Sequence, residues 1–215
     1  MNNFVAPLRD RPLQRILRCV GGLTLFGAGV ALQKQGRMGL APWDVFHEGL
    51  SEVIDWPFGR ALVLTSFLVL FLWIPLRQRL GLGTMLNAVQ IGVVADIVIS
   101  LVPEQTTYWT RIPFMVVGIL LVGVGSGYYI GAGLGPGPRD GLMTGLAARG
   151  VAISRARTAV EITVLLIGWI LGGTIGIGTL AFALSIGPIV GRTIPRLRMQ
   201  DLPIAIADDE RPWSE

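Results

Sequence analysis

Long apolar runs alternate with short polar or glycine- and proline-rich breaks along the whole chain. Ile16 to Leu32 is the first run, apolar except for Arg18 and Thr24. Ala61 to Leu76, Met85 to Val102, Ile112 to Ile130, Thr158 to Leu171 and Leu180 to Ile194 follow, the last of them short and interrupted by Pro188. The first is close to the ~20 residues that an α-helix needs to cross a bilayer, and the runs that follow are read as further spans. Trp56-Pro57-Phe58-Gly59 breaks the chain before the second run. Gly81-Leu82-Gly83-Thr84 precedes the third, with Thr84 placed to cap it. Pro103 and Glu104 end the third, and Glu104 to Thr110 is a short polar loop.

The breaks repeat. Gly39-Leu40-Ala41-Pro42-Trp43-Asp44 returns as Gly135-Pro136-Gly137-Pro138-Arg139-Asp140, and at the same offset Gly49-Leu50 returns as Gly145-Leu146. Arg15, Gly22, Gly27 and Gly29 reappear as Arg111, Gly118, Gly123 and Gly125. Trp73 is echoed by Trp169, Gly81 to Thr84 by Gly176 to Thr179, and Ile91-Gly92 by Ile186-Gly187. Leucines and valines match by chance in any apolar chain; Gly, Pro, Asp, Trp and Thr in order do not. Each copy of the turn predicts a sharp bend into a short helix, because glycine permits the bend and proline fits a first helical turn; Gly135 and Gly137 are the residues expected to turn through positive φ. A charged lead before an apolar run also fits a cleaved leader, but a leader has no reason to match an internal span.

The pattern therefore predicts an all-α integral membrane protein of six transmembrane helices. They form a 3+3 inverted-topology repeat, with a short Gly/Pro-initiated helix after the first span of each half. The segments are a lead at 1–14, repeats at 15–104 and 111–198, and a polar, disordered tail at 199–215. Three spans per copy is odd, so the second copy enters the membrane upside down.

Composition agrees: 52% of residues are hydrophobic and 15% charged, too few charges for a soluble domain of this size. The net charge of +4 comes from arginines, and their location gives it meaning. With the N-terminus inside, the inner side receives Arg9, Arg11, Arg77, Arg79, Arg149, Arg155, Arg157, Arg196 and Arg198 among others. The outer side receives only Lys34, Arg37, Arg60 and Arg111. Positive charge inside is the rule for short cytoplasmic loops, so the basic balance points to a bilayer and not to nucleic acid. One cysteine, Cys19, excludes an intrachain disulfide, and one histidine, His47, excludes a multi-histidine zinc site. No cofactor is implied.

Candidate chemistry is sparse. Trp43, Asp44, Arg139 and Asp140 sit in the repeated turns. Broken segments at matching positions of inverted repeats point to a substrate or ion site; capping alone also explains both aspartates. Trp43 and Arg139 share a repeat position with opposite character, so such a site has two unequal sides. Asp96 lies within the third span, with Arg60 or Arg111 as partner, and Glu161 within the fifth, with Arg192 or Arg157. Asn87 and Gln90 share a helix face and suit interhelical hydrogen bonds. Gly123 to Gly127 surrounds Ser126, but His47 lies in the other half, expected at the surface, so no Ser-His pair is supported and the chain is not read as an enzyme. Gly168/Gly172 and Gly187/Gly191 are small-residue pairs suited to close helix packing.

The APWDVFHEGLS, GPGPRDGLMTGLA and GLGTMLNA segments, and EITVLLIGWILGG followed by GIGT, resemble the YczE/YitT group of bacterial integral membrane proteins. The resemblance runs from about Arg15 to Arg198 and implies a multi-pass protein of the bacterial inner (plasma) membrane. It carries no substrate or site residues. Two functions stay open: a small-solute transporter with a site between the repeats, or a non-transporting protein that supports a partner complex. The expected partners are the lipid bilayer and a small solute, with a homo-oligomer left open.

Overall fold

The computed structural model describes residues 11–78 and 80–199. Arg9, Arg79, Arg211 and nearly all of the polar lead and tail lie outside that range. Among the described residues eight helices follow in order: α1 (Pro12–Gly36), α2 (Pro42–Ile54), α3 (Phe58–Leu76), α4 (Leu82–Leu101), α5 (Tyr108–Gly131), α6 (Pro138–Ala147), α7 (Ile153–Ile170) and α8 (Ile177–Leu197). Among the described residues there is no strand. The helical class follows from the medium: within a bilayer, backbone groups have no water to turn to and must satisfy one another.

Five helices, α1, α3, α4, α5 and α8, are long and apolar enough to cross a membrane. The fifth apolar run falls in α7, whose first half carries Arg155, Arg157 and Glu161, and these charges set it apart from the other five. The outward faces of the bundle are apolar. Phe71 and Ile74 on α3, Leu101 on α4 and Leu184 on α8 are exposed, an arrangement that suits lipid chains and not water. Tyr108 and Trp109 stand exposed at the start of α5, where amphipathic rings favour the headgroup level.

The centre is the crossing of α1 and α5, and glycine makes it close. A Cβ on Gly29 would lie 2.6 Å from the carbonyl oxygen of Gly118, and one on Gly118 2.7 Å from that of Gly29. Gly22 and Gly125 meet the same way, at 2.7 and 2.6 Å. Contact is backbone on backbone, as small residues permit in helices that gain little from hydrophobic burial.

The two repeated turns interlock with the opposite half. Gly39 has φ +102° and Gly135 φ +122°, values that favour glycine. The Gly39 turn seats on the start of α8, where Gly178 N–H donates to Met38 O at 2.7 Å; the Gly135 turn seats on the start of α4, where Gly83 N–H donates to Leu134 O at 2.8 Å. In the same reciprocal sense α2 packs on α7 and α6 on α3. Reciprocity then fails in one place. α3 lies along α4, whereas α7 has at most a glancing contact with α8. Trp73 is buried, with Nε1 donating to Pro138 O at 3.0 Å, but its repeat counterpart Trp169 is exposed.

Four sequence expectations need correction. Pro188 does not break the last span: α8 runs through it, since an apolar setting offers the freed carbonyl no competing water. Thr84 is not the N-cap of α4; Gly81 is, and Thr84 reaches back from the third position to accept the Gly81 N–H at 3.3 Å. Gly137 has φ −66°, so it needs no left-handed backbone. Gly187 and Gly191 face open space, with nothing within 4 Å of a Cβ at either.

Candidate functional site

Pro42 and Pro138 are the first residues of α2 and α6, so Trp43 and Arg139 are the second, and Asp44 and Asp140 the third. The start of each short helix is thus set by a turn glycine and a proline, and the polar residues follow in fixed register. α6 lies against α3 and α2 against α7, and the two helix starts come within side-chain reach of each other.

Arg139 makes the connection. Its Nη2 lies 3.4 Å from Asp44 Oδ1 and 3.4 Å from His47 Nδ1. Its guanidinium carbon stands 5.2 Å from the centre of the Trp43 ring, a cation–π distance. Asp44 Oδ1 also lies 3.2 Å from His47 Nδ1. Asp44 and His47 are on one face, three residues apart, and both are buried. One histidine nitrogen cannot both donate to Asp44 and accept from Arg139. The carboxylate contact is the shorter, so we place the proton on Nδ1, which leaves Nε2 an acceptor. The rings of Trp43, Phe46 and Phe58 surround the imidazole at 6.2–6.4 Å.

Asp140 is held separately. The Tyr129 hydroxyl of α5 donates to its Oδ2 at 2.8 Å. Asn87 of α4 belongs to the same neighbourhood: a Cβ on Gly137 would lie 3.1 Å from Asn87 Nδ2 and 3.2 Å from both Asp140 Oδ2 and Tyr129 Oη. Neither aspartate caps its helix; the N-cap positions are Ala41 and Gly137, and both carboxylates bond to side chains instead.

Of the turn residues expected to form a site, Trp43, Asp44 and Arg139 therefore share one cluster, and Asp140 anchors a second with Tyr129 and Asn87. The other polar candidates lie apart. Gln90 Nε2 donates to Val20 O at 2.8 Å and Thr24 Oγ1 at 2.9 Å, tying α4 to α1 as the interhelical reading expects. Glu161 pairs with Arg157 at 2.9 Å, one helical turn away. Asp96 pairs with neither Arg60 nor Arg111. Its Oδ1 accepts the Gly59 N–H of the first turn of α3 at 2.6 Å, a donor that no count of charged residues reveals.

His47 and Tyr129 escaped the sequence reading. His47 is fully buried, not at the surface; its three-residue spacing from Asp44 was the available signal. Tyr129 stands at the repeat position of Gln33, and that match of two residues with polar groups at the ends of apolar runs was the clue to it.

Among the described residues, three buried side-chain polar atoms lack a hydrogen-bond partner: Gln33 Oε1, Trp43 Nε1 and His47 Nε2. All belong to α1 and α2, the helices joined by the Gly39 turn. A cavity of about 210 Å³ opens beside Gln33, lined also by Lys34, Glu48, Glu52, Glu104 and Thr174 among others; Trp43 and His47 do not line it. Lys34 and Glu48 pair at 2.8 Å across its wall, Thr174 N–H donates to Glu48 at 2.6 Å, and Arg37 and Glu104 pair at 2.5 Å.

An all-helical bundle with an apolar exterior, several spans and a small buried polar cluster defines a multi-pass membrane protein. The chain belongs to a family of unknown function (DUF6198), whose model matches residues 13–195. It is 34% identical over 178 residues to the uncharacterized membrane protein YczE of Bacillus subtilis, covering 81% of this chain and 83% of that one. It is 39% identical over 169 residues to an uncharacterized protein of Haemophilus influenzae, covering 78% of each. The resemblance to YczE drawn from the turn segments is thereby borne out. No solved structure matches.

Proposed function

We propose that the protein is a small-solute transporter, not an enzyme, whose solute site lies between the starts of α2 and α6. The observation that carries this reading is the Asp44–Arg139 contact at 3.4 Å, with buried Trp43 Nε1 and His47 Nε2 left unpartnered beside it. Buried polar groups are normally satisfied, and orphans at the meeting point of two broken elements suit a ligand that comes and goes. The reading treats the halves as an inverted repeat, which the reciprocal seating of the two turns supports. The turns then belong to opposite membrane faces, and a contact between them falls where secondary transporters bind solute.

The test is uptake into proteoliposomes of the full chain, across a panel of organic acids, amines, inorganic anions and sugars. At least one solute should accumulate above protein-free vesicles. Asp44→Asn and Asp140→Asn should lower that uptake at least ten-fold while leaving the folded yield intact, because neither carboxylate caps its helix. A panel with no accumulation, or Asn variants that transport like the parent, refutes the assignment.

We further propose that the protein resides in the bacterial inner membrane with both termini cytoplasmic, on the strength of the arginine distribution. Reporter fusions after Arg149 and Arg198 should read cytoplasmic, and fusions at Asp55 and Gln105 should read external. A fusion series in which Asp55 and Arg149 report the same side removes the inverted arrangement.

A further inference from the structure

We propose that the solute carries an anionic oxygen, a carboxylate or an inorganic oxyanion, and that Arg139 and the Trp43 indole N–H hold it; this rests on the transport reading above and names its substrate class. Donors are what the cluster has to spare. Arg139 commits only Nη2, to Asp44, and among the described residues its Nε and Nη1 have no hydrogen-bond partner. Its side chain keeps 23% of its surface exposed, against 3% for Asp44, so Arg139 is the more accessible member of the pair. Trp43 is 7% exposed and its Nε1 is unpartnered. An indole nitrogen can only donate, so its missing partner is an acceptor whatever the tautomer of the neighbouring imidazole.

Position adds to the inventory. Trp43 and Arg139 occupy the second residues of helices of 13 and 10 residues, with the guanidinium over the indole. The guanidinium of α6 therefore lies beside the start of α2, where the positive dipole end also favours an anion. The aspartates moderate that field. Asp44 is already engaged by His47 and Arg139, and Asp140 by Tyr129. Arg139 and Asp44 together are neutral, which favours a single negative charge over a multiply charged ligand. A guanidinium fork matches a carboxylate or oxyanion edge in a way a point charge does not. His47 Nε2 takes no part in the proposal.

The experiment is thermal unfolding of the full chain in detergent with acetate, nitrate, sulfate or inorganic phosphate as sodium salts, matched in ionic strength with sodium chloride. Chloride lacks an oxygen and serves as reference; choline chloride is the cation control. At least one oxyanion should raise the unfolding temperature saturably above the chloride reference, and choline should not. Trp43→Phe keeps the ring under Arg139 but removes the N–H, and should weaken the apparent affinity at least ten-fold. Arg139→Lys keeps the charge but removes the fork, and should weaken it similarly. Trp43→Phe is the safer fold, so a poorly folded Arg139 variant leaves the test standing. No saturable shift with any of the four oxyanions, a shift that chloride reproduces, or one untouched by Trp43→Phe overturns the proposal. Failure here is separable from failure of the transport reading. Oxyanion binding without uptake sinks transport alone. Uptake of an amine or sugar that Trp43→Phe does not alter sinks the anion site alone.

Discussion

Gly29→Ala is expected to destabilise the protein by about 2 kcal/mol, whereas Gly187→Ala is expected to be neutral or slightly stabilising. The sequence gives no reason to separate them, since both are glycines in apolar spans that suit helix packing. The structure does. The Cβ added at Gly29 would lie 2.6 Å from the Gly118 carbonyl oxygen, and backbone cannot rotate out of the way as a side chain can. α1 and α5 must then separate along their whole crossing. Overpacking a fitted contact costs ~1–3 kcal/mol, and a backbone obstacle puts this case at the upper end. Alanine's better helix propensity returns up to ~1 kcal/mol. At Gly187 nothing lies within 4 Å, so only the propensity gain remains. Thermal unfolding of the two purified variants in detergent measures the difference. Equal unfolding temperatures, or a larger loss at Gly187, would show that α1 and α5 do not meet at this face.

Arg139→Met should cost about 3 kcal/mol by itself, and less than half of that when combined with Asp44→Asn. Methionine matches the length of the arginine stem and can still lie on Trp43, so the change removes charge more than volume. It leaves the Asp44 carboxylate buried, with His47 as its remaining partner. Stranding one member of a buried ion pair costs ~3–5 kcal/mol, because the other charge stays out of water without compensation. The residual bond from His47 places the loss at the low end. The double variant removes the stranded charge and should regain stability. Chemical denaturation of the parent, both single variants and the double variant closes the cycle. Additive losses would mean that Asp44 and Arg139 do not interact, and would take the meeting of the two turns with them.

Five of the six expected spans and both turns were legible; the turns were so because glycine and proline act locally. Gly39 and Gly135 adopt the positive φ their neighbours imply, and Pro42 and Pro138 open their helices as a fixed φ predicts. The recurrence of Gly22 and Gly29 as Gly118 and Gly125 was visible, but not that α1 and α5 cross through these four glycines. What stayed hidden depends on non-local partners. Asp96 binds a backbone N–H of α3, so matching it to an arginine was bound to fail. His47 is polar and follows a turn, which reads as surface; its burial follows from the packing of α2 against α3 and α7. Gly187/Gly191 has the spacing of a packing motif, but spacing does not say which face of α8 meets a neighbour. That Trp43 and Arg139 share a repeat position was visible, and so was the inequality of the two sides. That Arg139 reaches across to Asp44, and that Tyr129 rather than an arginine holds Asp140, was not.

The seating of each repeated turn on a helix of the other half constrains how the chain is made. A ribosome delivers the Gly39 turn before its seat at Gly176 and Gly178, which emerges only after α4 to α7 have been made. Until then the first three spans wait in the bilayer with the glycine face of α1 open, and with Asp44 and His47 lacking Arg139. Translation pauses placed before α5 would lengthen that exposure, while pauses placed after α8 would not.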